Sequence, residues 1–417
     1  MGFLRYFFYA RMATIMEATE LADLIGRGED SRTQFKEALD FTNAKSLAGE
    51  MAAFANSKGG KILIGVDDDG SVTGLTPGDI RRLNQLVSNT ATNCVRPSIN
   101  PHTENVSVGG QVVMVLAVSE GVSKPYADND GVFWVKSGAD KRRVTSREEI
   151  QRMLQSSGLV HADEVPIDGT SPEDIDMEHF EAFFTKLYEK SPGETGIPPE
   201  QLLNNLGLAR GAKLNLAGLM LFGRNPQRHR PAFAVKAVSF AGTDPAGDTY
   251  RDSQDIDGCL RKLYKDTIYF ITRNLRRVQG EKGFNTIGDL ELPLVVLEEL
   301  VANMLLHRDY FVSAPWRVFI FDDRIELISP GALPNSITVE NIRNGVSVMR
   351  NPLIASFATK ADELPYRGIG TGIRRALAAV PGLGLESDHE RNLFVAHIPR
   401  VQPVSWPNLT GKYPSAY

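Results

Sequence analysis

The hydrophobic positions of the chain fall into alternating helix-like and strand-like segments. Leu47, Met51 and Phe54 recur at the spacing of one helix face, and the pair Gly59–Gly60 follows them as a helix stop. The next segment, KILIGV, is a short continuous apolar run typical of a buried strand. Because this alternation continues, with QVVMVLAVSEG as a further predicted strand, we predict a mixed α+β unit over residues 18–158.

A second group of segments begins after a polar, proline-containing stretch, residues 159–174, which we interpret as a linker. Residues 175–290 combine helical patterns with the strand-like run PAFAVKAVSFAG and are predicted to form a connecting domain. Residues 291–400 start with the long helical pattern LPLVVLEELVANMLLHRDY, followed by the strand pair WRVFIFDDRIELISPG. The predicted fold class is therefore α+β with several domains.

Composition narrows the class of protein. The chain has 417 residues, too many for one ordinary core, with 42% hydrophobic and 23% charged residues, as in soluble globular proteins. The net charge of −5 means that a nucleic-acid surface has to be a local basic patch. Two cysteines without metal or disulfide spacing favour a cytoplasmic location. Residues 1–17 and 401–417 are interpreted as an extension and a tail.

The predicted helix LEELVANMLLHRDY carries a polar pair among apolar positions. Glu299 and Asn303 are four residues apart and therefore share one helical face. An amide oxygen can ligate Mg²⁺, and a neighbouring carboxylate can orient or deprotonate a water molecule. A solvated polar stripe on an amphipathic helix explains the pair equally well when it is taken alone.

A glycine string, RGIGTGIRRA, opens a predicted helix further along the chain. Gly368, Gly370 and Gly372 let backbone amides approach a phosphate closely, and a helix N-terminus favours an anion. Such strings are often mere turns. Together with the upstream Glu–x–x–x–Asn pair and the intervening strand–turn ELISPGALP, this one indicates a nucleotide site.

Residues from about 292 to 375 resemble the divergent branch of the ATP-binding fold shared by gyrase, heat-shock chaperones, histidine kinases and MutL. The strings HRDY and SPGALP are similar to those of bacterial proteins once labelled divergent AAA or RecG-like. The resemblance implies a Bergerat-like α/β sandwich that binds ATP with Mg²⁺. It makes Glu299 the water-orienting acid and Asn303 the magnesium ligand, with a phosphate-binding lid formed by Gly368, Gly370, Thr371 and Gly372. His307 and Arg308 have structural or supporting roles in this interpretation.

One turn departs from the usual pattern of that fold. Its members have an Asp-x-Gly-x-Gly turn whose Asp reads the adenine amino group, whereas this chain has Ser329-Pro330-Gly331-Ala332. The sequence therefore predicts nucleotide binding and leaves adenine selectivity and ATP hydrolysis open.

Two linked strings near the N-terminus, GEDSRTQFK and FANSKGGKILIGVDDDG, resemble the Schlafen-type AlbA_2 domain over roughly residues 18–158. In nuclease members of that family, three carboxylates bind a divalent metal that cuts RNA. Mapped onto this sequence, the first acid is Glu29 and the third is Asp67, or Asp68 in the other register. The resemblance thus makes Glu29 and Asp67 catalytic ligands of a divalent metal such as Mn²⁺.

The second acid of that set is replaced by Gln34, a neutral amide. Losing one of three carboxylates weakens metal binding, because dense oxygen charge holds the ion and activates its water. Glu50 can substitute only if it faces the same pocket. Ordinary turn chemistry explains Glu29 and Asp67 as well as a metal site does. The glutamine favours a nucleic-acid binder over a nuclease.

Basic residues surround these strings and are candidates for phosphate contacts with nucleic acid. They are Arg32, Lys36, Lys45, Lys136, Lys141, Arg142 and Arg143. Phe133 and Trp134 are candidate stacking partners for a base, although core packing is the expected role of either.

The leading hypothesis is a cytoplasmic, bacterial-type transcriptional regulator or defence protein that binds nucleic acid, DNA or RNA, under the control of ATP and Mg²⁺. We expect it to form a homo-oligomer. The alternative is a nucleotide-gated, metal-dependent endoribonuclease, and a third hypothesis is a scaffold in which both sites are degenerate. The sequence contains no zinc-site, serine-hydrolase or P-loop spacing, which removes those three classes.

Overall fold

The computed structural model of the chain describes the residues 16–37, 44–246, 249–279, 287–334, 337–362, 364, 366–368 and 370–400. Most of the predicted extension and the whole predicted tail lie outside the described residues. The chain separates into two compact units, Met1–Val160 and His161–Tyr417. None of the described helices is long and apolar enough to span a membrane.

The first unit mixes helices with short strands. Its described helices are α1 (Ala18–Arg27), α2 (Ala44–Asn56), α3 (Pro77–Asn89) and α4 (Arg147–Ser156). Its described strands are β1 (Thr33–Lys36), β2 (Gly60–Ile64), β3 (Val95–Arg96), β4 (His102–Val108), β5 (Gln111–Val118), β6 (Ala127–Asp128), β7 (Trp134–Ser137) and β8 (Asp140–Arg143). Four of the strands form a sheet in the order β1-β2-β5-β4, in which β1 is parallel to β2 and the other pairs are antiparallel.

The two apolar strands predicted from sequence, β2 and β5, are central in this sheet, and each face has its own core. Ile62 and Ile64 of β2 pack with Leu47, Met51 and Phe54 of α2. The intervening Leu63 packs with residues of α1 and β1 on the other face. This division follows from the alternation of side chains along a strand.

A hairpin of β7 and β8 packs against α2, and Asn56 at the end of α2 fixes its position. The Asn56 Nδ2 atom donates to the backbone oxygens of Tyr126 (2.7 Å) and Trp134 (2.8 Å). In the hairpin, Trp134 pairs with Arg143, and Lys136 pairs with Lys141. These contacts hold the hairpin, with its basic side chains, beside α2.

The second unit is larger and is built on one main sheet. Its described helices are α5 (Met177–Tyr188), α6 (Pro199–Asn205), α7 (Leu216–Phe222), α8 (Pro226–His229), α9 (Leu260–Asn274), α10 (Leu294–Leu306), α11 (Val339–Arg343), α12 (Pro352–Ala358) and α13 (Gly372–Ala379). Its described strands are β9 (Ala209–Arg210), β10 (Lys213–Leu214), β11 (Val235–Phe240), β12 (Tyr250–Ile256), β13 (Arg277–Val278), β14 (Asp289–Leu290), β15 (Trp316–Ile320), β16 (Arg324–Pro330), β17 (Gly384–Asp388) and β18 (Leu393–Pro399).

The main sheet has six strands in the order β12-β11-β15-β16-β18-β17, and β11 and β15 are its parallel pair. Helix α10 buries Leu297, Val301 and Leu305 in the core cluster that also contains inward residues of this sheet. The predicted α+β, multi-domain class is confirmed. Strands β11 and β12, from the predicted connecting domain, extend the same sheet as β15 to β18.

The segment predicted as a linker packs into the second unit. Ala162, Asp163 and Ile167 are buried there. Asp163 Oδ2 accepts a hydrogen bond from the backbone nitrogen of Ile354 (2.9 Å) in the first turn of α12. Its Oδ1 atom is buried without a hydrogen-bond partner.

Candidate functional sites

The polar face of α10 borders a cavity in the second unit. Glu299, Asn303 and His307 follow one another at intervals of four residues, so they span about 12 Å along one side of the helix and its C-cap. All three line a cavity with about 1160 Å³ of space, which includes a part open to solvent. The glycine string lines the same cavity, through Gly368, Gly370, Thr371 and Gly372. The structure therefore brings together the residues that the sequence placed at a nucleotide site.

The Glu299 carboxylate is held by contacts from both sides of the cavity. Its Oε1 atom accepts a hydrogen bond from Asn303 Nδ2 at 2.9 Å, and its Oε2 atom lies 3.4 Å from Arg375 Nη2. A Cβ built on Gly372 would overlap the carboxylate, standing 2.5 Å from Oε2 and closer to Oε1. Thr371, the N-cap of α13, makes no side-chain capping bond. An acidic group thus lies at the N-terminus of α13, where the helix favours negative charge.

The Asn303 side chain can offer an amide oxygen to a cation, because its nitrogen is engaged elsewhere. Its Nδ2 atom donates both to Glu299 Oε1 and to the Glu299 backbone oxygen (2.7 Å). The Oδ1 atom is thus the one that Asn303 can offer to a cation. Mg²⁺ in nucleotide sites uses few protein ligands and completes its shell with phosphates and water. The residues at this position fit such an ion.

The far end of the cavity is lined by His307, Tyr366 and Arg350. His307 Nε2 lies 3.1 Å from the Tyr366 hydroxyl. Burial, assisted by the charge of Arg350, lowers the pKa of His307 to about 4. Burial raises the pKa of Tyr366 to about 12, so both rings are neutral at pH 7. The sequence assigned His307 only a supporting role and did not identify Tyr366 or Arg350. For His307 the available signal was its spacing, four residues after Asn303, which continues the face that Glu299 and Asn303 share.

The SPGA turn is built around a glycine next to Arg350. Gly331 has a φ of 105°, and a Cβ there would overlap Arg350 Nη1 and the Asp309 side chain. Arg350 Nη2 donates to the Ala332 backbone oxygen at 2.6 Å. Burial lowers the pKa of Arg350. The turn and the guanidinium therefore form one packed wall of the cavity.

Arg308 has the structural role expected for it. Its guanidinium lies 4.3 Å from the ring centre of Trp316 and 4.5 Å from that of Phe233. Its Nη2 atom donates to the backbone oxygens of Val312 (2.6 Å) and Ala314 (2.8 Å). It is buried away from the cavity lining and holds the loop after α10 against the sheet.

In the first unit, the acid and the glutamine of the opening string are bonded to each other. Glu29 Oε1 accepts hydrogen bonds from Gln34 Nε2 (2.9 Å) and from the Phe35 backbone nitrogen (2.7 Å). Gln34 is buried on β1, and its Oε1 atom accepts from Lys136 Nζ at 2.5 Å. The side chains of Glu29, Gln34 and Lys136 thus form one hydrogen-bonded chain.

Glu50 lies on the buried side of α2 and faces the cations of the hairpin. Its Oε1 atom accepts from Lys141 Nζ at 2.9 Å, whereas its Oε2 atom is buried without a hydrogen-bond partner. The Lys136 ammonium lies 4.9 Å from the ring centre of Phe54. Burial lowers the pKa of Lys136, while the charges of Glu50 and Glu29 oppose that shift. Two lysines and two carboxylates therefore share this region.

Asp67 and Asp68 lie in the turn that follows β2. The Asp67 backbone nitrogen donates to Ser71 O (2.9 Å), and its Oδ1 atom accepts from the Asp68 backbone nitrogen (2.7 Å). This is the turn chemistry considered from sequence. Among the described residues, no group of three or more His, Cys, Asp or Glu side chains is placed to hold a metal ion.

The predicted basic residues differ in how far they are already paired. Lys45 forms an exposed ion pair with Asp130 (2.6 Å), which raises its pKa. Arg142 donates to both carboxylate oxygens of Glu149 (2.6 and 2.9 Å). The hairpin brings Lys136, Lys141, Arg142 and Arg143 together, and Arg32 and Lys36 flank Gln34 at β1. Trp134 takes a packing role, with its Nε1 atom donating to Asp128 Oδ2 at 2.8 Å.

Three family models match parts of the chain. The model described as "Schlafen, AlbA_2" matches residues 29–145, and the model described as "Putative ATP-dependent DNA helicase recG C-terminal" matches residues 314–392. A domain of unknown function matches residues 151–236. No curated protein matches the chain.

Solved structures also resemble the chain. The DIP2311 protein from Corynebacterium diphtheriae is 19% identical, with a TM-score of 0.42, over 92% of this chain and 69% of that one. The N-terminal domain of a "Putative ATP-dependent DNA Helicase RecG-related Protein" from Nitrosomonas europaea is 28% identical, with a TM-score of 0.24, over 32% of this chain and 97% of that one.

Proposed function

We propose that this chain, which joins a Schlafen AlbA_2 domain to a RecG-type C-terminal domain, binds nucleic acid with the first and a nucleotide with the second. The observation that carries the proposal is the meeting of Glu299, Asn303 and the glycine string around one cavity. The polar pair of α10 and the glycine string are far apart in sequence, and each has the chemistry of a nucleotide–magnesium site.

In the nucleotide site, each residue has a separate role. The amides at the start of α13 and the glycines before it hold the phosphates, because they combine close backbone approach with a favourable helix end. Asn303 Oδ1 would hold Mg²⁺, which would neutralise phosphate charge when bound. Glu299 orients a water molecule near the terminal phosphate. The sequence expectation for the nucleotide is ATP.

In the first unit, we favour binding over cleavage. A divalent ion needs clustered carboxylate oxygen, but Glu29 Oε1 already accepts two hydrogen bonds and Gln34 Oε1 accepts from Lys136. Lys141 Nζ likewise donates a hydrogen bond to Glu50 Oε1. The residues present do not fit a metal here, because the ammonium groups of Lys136 and Lys141 already donate to Gln34 and Glu50 at the place where the ion would bind. The hairpin cations instead offer phosphate contacts.

Nucleotide binding gives the protein a means of regulation. Phosphates bound at the start of α13 would lie beside the Glu299 carboxylate, which contacts Gly372 in this structure, so the nucleotide-bound and nucleotide-free forms are expected to differ at this string. We propose that this difference alters nucleic-acid affinity, as in a cytoplasmic transcriptional regulator or a defence protein, and that the protein acts as a homo-oligomer.

The test is to measure the affinity of the full chain for labelled tRNA and single-stranded DNA with and without a nucleoside triphosphate and Mg²⁺. The proposal predicts salt-dependent binding whose affinity changes when nucleotide is added. Affinity that is indifferent to nucleotide, while nucleotide itself binds, contradicts the regulatory part. Absence of both kinds of binding supports the scaffold alternative.

The nuclease alternative is tested in the same samples. Incubation of the chain with tRNA and Mn²⁺ is expected to leave the RNA intact. Cleavage that disappears in Glu29→Ala would establish the endoribonuclease and overturn the preference for binding.

A further inference from the structure

We propose that the second unit dimerises through strand β12, at the edge of its main sheet, and that the partner is the same strand of a second copy of this chain. The two strands run antiparallel, with Ser253 facing its own copy at the two-fold axis. This inference rests on the homo-oligomer of the proposed function and names the surface that forms it. It does not depend on what the cavity binds.

Strand β12 (Tyr250–Ile256) is the terminal strand of the six-stranded sheet, and β11 pairs with one of its sides. Among the described residues, no strand pairs with its other side. A strand in this position presents unpaired backbone N–H and C=O groups, which another strand can bind. Proteins often block such an edge with lysine or proline, and β12 contains neither. Its exposed residues are Tyr250, Arg251, Ser253 and Asp255.

Symmetry limits how two copies of β12 can pair in one continuous sheet. In a two-fold symmetric antiparallel pair, facing side chains lie on the same side of the sheet, so the axis passes a residue that faces its own copy. Arg251, Asp252 or Asp255 at the axis brings two like charges together, which destabilises the pair. Gln254 at the axis leaves no charged residue facing one of opposite sign. Ser253 is the remaining inner residue of the strand.

With Ser253 at the axis, every other facing pair along β12 is complementary. One pair joins opposite charges, one joins a carboxylate to an amide donor, and one joins an aromatic ring to a β-branched side chain. By symmetry each of these pairs forms twice. The pairs between the two copies are Arg251 with Asp255, Asp252 with Gln254, and Tyr250 with Ile256. The strand is therefore charge-complementary to itself in one register, and this favours a second copy as its partner.

The two charged residues of this pairing remain accessible. Arg251 lies at a bulge of β12 and forms an ion pair with Asp322 (2.5 Å), while Asp255 forms one with Lys236. Their side chains are nevertheless 50% and 63% exposed, and ion pairs of this kind are weak. Each can therefore take a further partner of opposite charge from a second copy.

Helix α9 adds apolar surface beside β12. A strand pair alone is smaller than a stable interface, which buries about 1,200–2,000 Å². Arg273 Nε and Asn274 Nδ2 of α9 both donate to Asp252 Oδ2 at 2.8 Å, which places the end of this helix over the edge strand. Tyr269 lies one turn earlier and is 63% exposed, with its ring centre 5.4 Å from the Arg273 guanidinium. Joining the two edges brings this tyrosine next to the second copy, and tyrosine is a residue that such interfaces favour.

Ser253→Cys tests the register directly. Facing Cα atoms of antiparallel strands are about 4.5–5.5 Å apart, a distance that a disulfide can span. In the full chain with Cys259→Ser, we expect Ser253→Cys to form a disulfide-linked dimer under mild oxidation, read on a non-reducing gel. The matched control is Ser107→Cys, an exposed serine on the terminal strand β4 of the other sheet, which is expected to remain unlinked. Absence of the linked dimer, or equal linkage in the control, overturns the inference.

Charge reversal tests the ionic pairs. Arg251→Asp and Asp255→Arg each place like charges opposite one another twice, so we expect either variant to raise the dimer dissociation constant by roughly tenfold. The double variant restores opposite charges with their positions exchanged and is expected to recover most of the affinity. Thermal unfolding shows that each variant is folded. A folded double variant that recovers nothing overturns the pairing.

Light scattering of the parent chain at several concentrations separates this inference from the proposed function. We expect a dimer at high concentration. A monomer at every concentration overturns both the homo-oligomer and the β12 interface and leaves nucleotide and nucleic-acid binding intact. A dimer that neither links through Ser253→Cys nor responds to charge reversal keeps the homo-oligomer and overturns the β12 interface.

Discussion

The carboxylate of Glu299 lies against the Cα atom of Gly372, the first residue of α13, so closely that a Cβ at position 372 would overlap it. This contact joins the acid of α10 to the glycine string. Only glycine fits at 372 while Glu299 keeps its position. The same contact places a side-chain anion at the helix end where we propose that phosphates bind.

The first prediction concerns Gly372→Ala. The added methyl group must displace Glu299 or move α13, and such overpacking typically costs about 1–3 kcal/mol. We expect a lower melting temperature and weaker nucleotide binding, measured by thermal unfolding and calorimetry. Gly193→Ala is the control, since a Cβ there meets nothing within 4 Å. Equal behaviour of the two variants would contradict a close contact at 372.

The second prediction concerns the charge of Glu299. In Glu299→Gln the amide keeps the shape but no longer repels the phosphates, so nucleotide affinity is expected to rise by roughly fivefold, or about 1 kcal/mol. Any nucleotide hydrolysis should disappear. Glu298→Gln removes the same charge from the next residue, which does not line the cavity. A rise of similar size in Glu298→Gln would mean that the effect is long-range and not local.

The third prediction tests the hairpin as a phosphate-binding surface. We expect Arg143→Ala to weaken nucleic-acid binding and to reduce the slope of log K against log salt by about one, as for the loss of one phosphate contact. Lys190→Ala, an exposed lysine of the second unit, is the control. Affinity measurements at several salt concentrations give the slope, and equal slopes in parent and Arg143→Ala would remove this arginine from the interface.

The fourth prediction concerns the missing acid. Gln34→Glu is expected to form an ion pair with Lys136, whose ammonium already donates to the Gln34 side chain. We therefore expect no Mn²⁺-dependent tRNA cleavage from this single substitution. Cleavage in Gln34→Glu that is lost again in the double variant with Glu29→Ala would show that a metal can enter despite Lys136.

The fifth prediction is a pH dependence at Asp163. Burial raises the pKa of this carboxyl from 3.8 to about 6 in the folded protein. Because the folded state holds the proton more tightly, the stability it contributes is complete below pH 4 and is lost as the pH rises through 6. The loss is about 3 kcal/mol for a shift of this size.

Asp163→Asn should therefore remove this part of the pH dependence, measured as the free energy of unfolding between pH 4 and pH 7. Asp168→Asn is the control, because Asp168 is exposed and its pKa is lowered by Lys213. If parent and Asp163→Asn lose stability in parallel over this range, the carboxyl does not titrate with the raised pKa.

Some features of the first unit could not be predicted from the sequence. Strand β1 has four residues and a partner, β2, that lies across α2 in the chain, so no local pattern identified it. The bond between Gln34 and Lys136 joins residues 102 positions apart. Because of this bond, we interpret Gln34 as the hydrogen-bond acceptor of the Lys136 ammonium group and not as a weakened metal ligand.

The sequence by itself determined the helices α2 and α10, the buried strands β2 and β5, and the pairing of Glu299 with Asn303. These depend on spacing within a few residues, which helix and strand geometry translates directly into a shared face. Tertiary structure alone decided that Arg350 and Tyr366 border the same cavity as Glu299, and that β11 and β12 extend the sheet of the C-terminal region. Those relationships arise from contacts between distant segments, whose partners are selected by packing of the whole core and leave no periodic trace in the chain.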